Sequence, residues 1–593
     1  MGALQTSHIM MHAEEAQEVM QAALGRQKAD LAIVNARLAN VYTGELLDDS
    51  AVAVKGKWIA YVGGDVQDNI GAETVVIDAE GKTLIPGFIE GHTHLAQMYD
   101  AAEFTRYALK GGTTTIITET TEVFPMGDYE GVVDFLESYR QQPLKIYGTT
   151  PVMASISSAC KTISLETLQK LLDREDILGM GESYWQAVLQ EPDRFLPLYE
   201  ETLRRGKTLE GHSAGARGRK LMAYTAMGIS SCHEPITAYE VLERLRLGIY
   251  VMIREGSIRR ELEAVSQLKD MNIDLRRLIL VTDGVDAKDL LEKGYMEYIV
   301  QKAVDLGFNP MDVLRMATLN VAEHFSLDGI VGGIAPGRHA DMAIIPDMKT
   351  IKPEYVISNG QIVVKNGELT VQPRKPVYRN ASCNSVHISE PFKPDDFVLA
   401  VDSGLASVKV RVMDMITDLV TNEWITDMPV TDGKINVDLN QDIIKVAAID
   451  RKHGTGRKFV GLIKGFHIRA GAFATSTSWD TADIVVVGAD DADIALAVNR
   501  IIALKGGFVV SKNGKITAEF ALPIFGIISD QPMETLALSL EKINNAAADL
   551  GVSFPKPFLS LQILTTSAIP YVRICEEGLV NLRDGQTIGL IAE

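Results

Sequence analysis

The chain has 593 residues, of which 46% are hydrophobic and 23% are charged. Its 58 lysines and arginines against 78 aspartates and glutamates give a net charge of -20, which argues against a nucleic-acid backbone or an anionic membrane as partner. A chain of this length is too long to fold around a single hydrophobic core, so several domains are expected. The four cysteines are widely spaced, which predicts reduced thiols in a cytoplasmic protein. No apolar run approaches the roughly 20 residues of a membrane span.

Residues 1–28 open with a stretch that we interpret as a tag remnant (1–10), followed by a helix that ends near Gly25. Short alternating strands with glycine-centred turns fill residues 29–80, and a second β-rich stretch covers 336–372. Because neither segment alone can bury a face, we predict that they pair into a small β-sandwich.

Between these segments, residues 81–335 repeat an apolar strand, a loop and an amphipathic helix, as in "TTTIIT", "YEVLERLRLG" and "LILVTDG". This alternation of strands and helices predicts an α/β fold. The specific prediction is a (β/α)8 TIM-like barrel with catalytic loops at the carboxyl ends of its strands. The polar, proline-bearing stretch 373–394 is predicted to be a linker. Residues 395–593 mix strands with amphipathic helices and predict a C-terminal α+β domain.

Two histidines, His92 and His94, follow the first predicted barrel strand in "GFIEGHTHLAQMYD". Residues two apart on a strand point to the same face, so both rings can reach one point. Imidazole is a common ligand for zinc and iron. A His-x-His pair alone is weak evidence for a metal site, so the other ligands must come from elsewhere.

Further polar residues follow apolar runs at other predicted strand ends, and each precedes a turn. They are Glu182, His212, His233 and Asp283. In a parallel barrel these ends meet at one edge, although any one of the four residues could instead be structural. Mixed imidazole and carboxylate ligation suits two divalent ions of the zinc, iron or manganese type.

Several longer motifs resemble the amidohydrolase superfamily, specifically its adenine deaminase branch. They include "PGFIEGHTH", "GHSAGARGRKLMAYTAMGISSCHE", "VTDG" and "RMATLNVAEHF", and the resemblance continues through "GFHIRAGAFATS" and "NRIIALKGG". It implies a binuclear centre in which one ion binds His92, His94 and Asp283, the other binds His212 and His233, and Glu182 bridges them. It also implies that Glu90, where relatives usually have Asp, supports the ligands.

The resemblance implies a hydrolytic chemistry at this centre. Two metal ions would lower the pKa of a bridging water, and the resulting hydroxide would attack a carbon that carries an amino or amide nitrogen. Asp283 would be the catalytic residue that accepts the water's proton and passes it to the leaving nitrogen, so that ammonia or an amine departs.

Four family motifs are altered, and all lie outside the implied ligands. "IESSM" is "LAQMY" here, "SDPHEIANV" is "TETTEVFPM", "TDD" is "TDG" and "AHDSHNI" is "SWDTADI". The changes introduce Ala96, Gln97, Met98, Thr121, Gly284, Trp479 and Ala482, whereas Glu122, Asp283 and Asp480 are retained. Drift in loops is one explanation; a changed substrate is the other, since buried polar partners set specificity.

The candidate substrate contacts are Glu122, Gln97, Glu234 and Arg254, each of which could instead cap a helix or form an ion pair. The leading hypothesis is a metal-dependent aminohydrolase that deaminates adenine or a related amino-substituted heteroaromatic ring. A cyclic amide or lactam hydrolase and a catalytically silent scaffold are the alternatives, and the complete ligand set disfavours the scaffold. We expect a nucleobase-like small molecule as the partner, without nucleic acid or membrane, and a homo-oligomer.

Overall fold

The computed structural model describes residues 11–153, 155–160 and 162–592, so the interpreted tag remnant lies outside the described residues. The chain begins with helix α1 (Ala13–Ala23), which covers the predicted N-terminal helix. Five strands follow: β1 (Leu31–Asn40), β2 (Glu45–Lys55), β3 (Trp58–Gly63), β4 (Val75–Asp78) and β5 (Thr83–Pro86).

Eight strands and twelve helices then alternate through the middle of the described chain. The strands are β6 (Phe88–Thr93), β7 (Thr113–Thr118), β8 (Lys145–Thr150), β9 (Ile177–Tyr184), β10 (Thr208–His212), β11 (Ser231–Cys232), β12 (Tyr250–Arg254) and β13 (Leu278–Val281). The helices are α2 (Ala101–Lys110), α3 (Phe124–Tyr139), α4 (Leu165–Leu172), α5 (Trp185–Gln190), α6 (Pro192–Arg204), α7 (Gly218–Thr225), α8 (Ala238–Arg246), α9 (Leu262–Val265), α10 (Ala287–Lys293), α11 (Met296–Asp305), α12 (Pro310–Met316) and α13 (Leu319–His324).

The eight middle strands form a closed parallel barrel. Strands β6 to β10 pair side by side, and so do β11 to β13. Backbone hydrogen bonds join the two groups at both seams: Ser230 N–H donates to Leu209 O at 2.9 Å, and Asp283 N–H donates to His92 O at 3.2 Å. The predicted (β/α)8 barrel is therefore confirmed, and one seam passes between two predicted ligands.

Four strands after the barrel return to the sheet that precedes it: β14 (Met342–Ile345), β15 (Tyr355–Ser358), β16 (Gln361–Lys365) and β17 (Glu368–Leu369). Strand β14 pairs antiparallel with β5, and β5 continues through β1 and β2 to β3. The segments on either side of the barrel thus share one sheet, as their inability to bury a face separately requires.

The remaining strands and helices form the C-terminal α+β domain. Its strands are β18 (Leu399–Ala400), β19 (Ser407–Met415), β20 (Thr421–Thr431), β21 (Lys434–Ile435), β22 (Ile443–Asp450), β23 (Lys458–Lys464), β24 (Ala472–Thr475), β25 (Asp483–Gly488), β26 (Gly507–Lys512), β27 (Lys515–Ala521), β28 (Val572–Cys575), β29 (Gly578–Asn581) and β30 (Gln586–Ile588). Its helices are α14 (Asp491–Leu504), α15 (Met533–Leu550) and α16 (Pro557–Gln562). Strands β18 to β27 build one sheet, and β28 to β30 build a small second one.

The loop between β24 and β25 brings this domain onto the barrel. Tyr184, at the end of β9, donates its hydroxyl to Asp480 in that loop at 3.2 Å. Met98, beyond the first barrel strand, forms a β-bridge with Ile528 of the C-terminal domain. The barrel mouth is therefore covered by residues far away in sequence. Across the described ranges, no helix is both long enough and apolar enough to cross a membrane.

Arg451 is a buried cation that joins the segment before the C-terminal domain to two loops within that domain. Its guanidinium donates to Ser385 O at 3.1 Å, to Ser476 O at 3.3 Å and to Phe525 O at 2.9 Å. Burial lowers the pKa of Arg451 to about 10. These three bonds hold the segment before the domain and the loop after β27 against β22.

We predict that Arg451→Met lowers the free energy of unfolding by about 2–4 kcal/mol, because each buried acceptor left without a donor costs about 1–3 kcal/mol. The control is Arg457→Met, since that side chain is 55% exposed and pairs with Glu577 at 3.2 Å. Loss of such a surface pair changes stability by less than about 1 kcal/mol. Denaturant unfolding followed by circular dichroism measures both, and equal midpoints would contradict the bridging role of Arg451.

Candidate metal centre and active site

The structure brings all six predicted ligands to the carboxyl edge of the barrel. His92 belongs to β6 and His94 follows it, Glu182 belongs to β9, His212 ends β10, His233 follows β11 and Asp283 follows β13. Every one of them is buried. The rule that strand ends meet at one edge therefore located them correctly, although their separation in sequence reaches from 92 to 283.

The first group contains His92, His94 and Asp283. Oδ1 of Asp283 lies 3.3 Å from Nε2 of His92 and 3.1 Å from Nε2 of His94. The three donor atoms all lie within 4.8 Å of one another. Asp283 has φ +56°, a left-handed conformation that turns its side chain back over the barrel rim.

The second group contains His212, His233 and two glutamates. Oε2 of Glu182 lies 2.8 Å from Nδ1 of His212 and 3.1 Å from Nε2 of His233. Its other oxygen, Oε1, lies 3.9 Å from Nε2 of His94 in the first group. One carboxylate thus faces both groups, as a bridging ligand requires.

Glu234, which the sequence analysis proposed as a substrate contact, lies beside the two histidines of the second group. Its Oε1 is 3.0 Å from Nδ1 of His233 and 3.3 Å from Nδ1 of His212, and it belongs to the second group of potential ligands. Its Oε2 accepts the Ser213 N–H at 2.6 Å. The sequence could have indicated that Glu234 belongs to the group of potential ligands, because Glu234 directly follows the strand-end His233.

The other predicted substrate contacts occupy different environments. Arg254 donates to Oδ2 of Asp283 at 3.1 Å and to both oxygens of Glu261 at 3.0 Å. Glu122 pairs with Nδ1 of His94. Both line the main cavity, whereas Gln97 lines a small neighbouring pocket behind Trp479. Arg254 therefore holds the Asp283 carboxylate and Glu122 holds the His94 ring, and as substrate contacts these residues and Gln97 remain predictions.

Two acids support the groups from behind. The carboxylate of Glu90 accepts the His92 N–H at 3.2 Å and the Thr282 N–H at 3.0 Å, so it joins β6 to the strand that carries Asp283. Glu119 was not predicted, yet its Oε1 lies 3.6 Å from Nδ1 of His92 and accepts the Glu182 N–H at 3.3 Å. Glu119 directly follows β7, so it is a polar residue at a strand end, like the six predicted ligands.

Burial and opposite charge work against each other in this site. Burial would raise the pKa of Asp283, but the nearby imidazoles of His92, His94 and His233 and the charge of Arg254 hold it well below its ordinary value. Burial raises the pKa of Glu119 to about 8. The bridging candidate Glu182 resembles Asp283, because its histidine partners outweigh burial and lower its pKa. The carboxylates of Glu182 and Asp283 are thus held as anions.

The donor set fits divalent cations. Four imidazoles converge with the buried carboxylates of Glu182, Glu234 and Asp283, an arrangement that concentrates negative charge away from water. Oε1 of Glu234 and Nε2 of His92 are buried and make no hydrogen bond of good geometry. Such buried lone pairs, in a mixed nitrogen and oxygen set, suit zinc, iron or manganese.

A cavity of about 320 Å³ opens from these groups. The barrel contributes its polar side, which includes His94, Glu182 and Asp283. The C-terminal domain contributes Leu419, Val420, Trp479, Asp480, Ala568, Ile569 and Pro570. A substrate at the metal ligands would therefore contact both domains.

Comparison with known proteins identifies the family of this chain. Residues 83–368 match the family model for the amidohydrolase family, and residues 418–586 match the adenine deaminase C-terminal domain. An adenine deaminase of Moorella thermoacetica is 34% identical over 588 residues, covering 98% of both chains. The chain belongs to the adenine deaminase family. An adenine deaminase of Cenarchaeum symbiosum is also 34% identical, over 96% of this chain and 94% of its own. A solved enamidase structure is 19% identical with a TM-score of 0.45, over 58% of this chain and 99% of that one.

Within this adenine deaminase family member, two of the altered motifs meet in space. Gly284, in the "TDG" motif, has φ +102°, and a Cβ built on it would lie 2.9 Å from Oε1 of Gln97 in the "LAQMY" motif. The amide of Gln97 thus fills the space that a side chain at 284 would need. The two altered motifs are therefore in contact, and a side chain at position 284 would require the Gln97 amide to move.

A double-mutant cycle tests that contact. We predict that Gly284→Asp lowers the melting temperature, since it adds backbone strain of about 1–3 kcal/mol and a steric clash. Gln97→Ser removes the clash, so the loss caused by Gly284→Asp should be smaller in that background. Gly81→Asp is the control, because Gly81 has φ +77° and open space around it. Equal losses from Gly284→Asp in both backgrounds would contradict the coupling.

Proposed function

We propose that this protein catalyses the metal-dependent hydrolytic deamination of adenine or a related amino-substituted heteroaromatic ring. The observation that carries the proposal is the convergence of six candidate ligands, far apart in sequence, at one edge of the barrel. Five of them line one cavity, and Glu182 faces both groups. Membership of the adenine deaminase family supports the same reaction, because the curated relatives are adenine deaminases.

Two divalent ions per chain would be held by this donor set. His92, His94 and Asp283 would bind one, His212 and His233 the other, and Glu182 would lie between them. When bound, such ions supply Lewis acidity and lower the pKa of a coordinated water, which provides a nucleophile near neutral pH. The ligand types leave manganese, iron and zinc as candidates.

For Asp283 we propose the role of proton carrier. Its Oδ2 is held by Arg254 at 3.1 Å, and Glu261 in turn fixes that guanidinium through two bonds of 3.0 Å. The carboxylate lines the cavity and is kept ionised by its neighbours. It would accept a proton from the attacking water and deliver it to the ring amine as the carbon–nitrogen bond breaks, so ammonia leaves and oxygen stays on the ring.

For Asp283→Asn we predict a loss of turnover of at least about 10²-fold, because the amide cannot take the proton. Metal content should fall less, since the histidines and Glu182 remain. Asp274→Asn is a surface control, with an Asp274 side chain that is 57% exposed and pairs with Arg276. Turnover, metal content and melting temperature are measured together. Normal turnover by Asp283→Asn at full metal occupancy would remove Asp283 from proton transfer.

The reaction itself is tested by ammonia release from a panel of adenine, other amino-purines and amino-pyrimidines, with cyclic amides alongside. We predict one ammonia per ring converted, with oxygen from water in the product. Opening of an unsubstituted lactam yields an amino acid and no ammonia, so cyclic amide hydrolysis would favour the lactam hydrolase alternative. Absence of any turnover by protein with its full metal content would favour a silent scaffold.

A further inference from the structure

The C-terminal domain supplies an apolar surface to the active-site cavity, which we call the apolar wall: Leu419, Val420, Trp479, Ala568, Ile569 and Pro570. Leu419 is buried, but the other five are only half-buried. Half-buried apolar side chains that face one cavity are covered from water when an apolar group binds against them.

Trp479 presents a flat face next to the predicted ligands. Its ring lies 6.4 Å from the His94 ring, and the two planes differ by 15°. Trp479 lies in the loop between β24 and β25 and lines the cavity beside His94. Aromatic side chains of this kind stack well on heteroaromatic rings.

Hydrogen bonds fix the loop that carries Trp479. The Trp479 N–H donates to Gln562 O at 3.3 Å, and Thr565 Oγ1 donates to Trp479 O at 2.6 Å. The next residue, Asp480, accepts from Tyr184 at 3.2 Å and from Thr566 at 2.6 Å. The indole is therefore held in place before a ligand arrives, which lowers the entropic cost of binding.

Besides Oε1 of Glu234, two buried polar atoms of residues that line the cavity have no hydrogen-bond partner in the described chain. They are Oγ1 of Thr121 and Oε2 of Glu122, both buried atoms at the altered "TETTE" motif. A hydroxyl can donate or accept, and a carboxylate oxygen accepts, so together they match the edge of an amino-substituted ring. Buried polar atoms of this kind select strongly for a ligand that pairs with them.

The size of the cavity points beyond a bare ring. A volume of about 320 Å³ lies within the range of about 300–1,000 Å³ for pockets that hold drug-sized ligands. An unsubstituted amino-purine on Trp479 would leave much of the apolar wall exposed to water.

On the basis of the proposed function, we infer that the preferred substrate is an amino-heteroaromatic ring that carries an uncharged apolar substituent. The ring stacks on Trp479, its edge pairs with Thr121 and Glu122, and the substituent packs on the apolar wall. Hydrolysis replaces the ring amino group by oxygen and releases ammonia, and the substituent remains on the ring.

The test compares kcat/KM for adenine with kcat/KM for amino-purines that carry methyl, butyl or benzyl groups at different ring positions, using metal-loaded full-length protein. At one position, kcat/KM should rise with substituent size by at least about 10-fold, since each buried methylene contributes about 0.8 kcal/mol. Ile569→Ala should reduce that ratio of substituted ring to adenine.

Trp479 variants separate stacking from a structural effect. Trp479→Ala should lower kcat/KM by about 5- to 150-fold, the equivalent of about 1–3 kcal/mol of stacking, mainly through KM. Trp479→Phe should keep most of the activity, and Trp479→His, which restores the family residue, should shift preference toward adenine. Melting temperatures show whether each variant is folded.

The outcomes distinguish the two proposals. Adenine turnover that matches that of every substituted ring, with folded Trp479→Ala as active as the wild type, would overturn this inference and leave the deaminase proposal intact. Absence of ammonia from every ring at full metal content would overturn the proposed function itself.

Discussion

The structure depends on one electrostatic constraint: several carboxylates and imidazoles are buried together at the barrel mouth. Removing ionised groups from water is costly unless each is paired or coordinated. Here Glu182 and Asp283 remain ionised because imidazoles and the Arg254 guanidinium surround them. Bound divalent cations would also neutralise the buried carboxylates, and they would supply the Lewis acidity that the proposed hydrolysis needs.

Much of the neighbouring structure serves to hold that cluster. The barrel seam closes through Asp283 N–H and His92 O, and Glu90 accepts N–H groups from both sides of the seam. The pair of Arg254 and Glu261 keeps the Asp283 carboxylate from rotating. The C-terminal domain then covers part of the mouth and supplies an apolar wall, so residues that are not candidate ligands shape the cavity.

The sequence predicted the barrel and the meeting of the candidate ligands at one edge because both follow local rules. Apolar strands end at polar residues, and in a parallel barrel those ends meet, which placed His212 and Asp283 together without any long-range information. The same rule would have found Glu119. It could not show that Arg254 is fixed by Glu261, or that Gln97 packs against Gly284, since those contacts depend on side-chain packing between distant loops. The approach of Trp479 to His94 depends on how two domains dock, which periodicity does not reveal.

The central claim is that two ions share Glu182, and the most direct measurement is the metal content of reconstituted protein with and without that carboxylate. Equilibrium dialysis against manganese, iron or zinc, followed by elemental analysis, gives the number of ions per chain. The account predicts two ions for the wild type and a joint loss from both sites in a folded Glu182→Gln variant. Fewer than one tightly bound ion in the wild type, or two retained by Glu182→Gln, would contradict it.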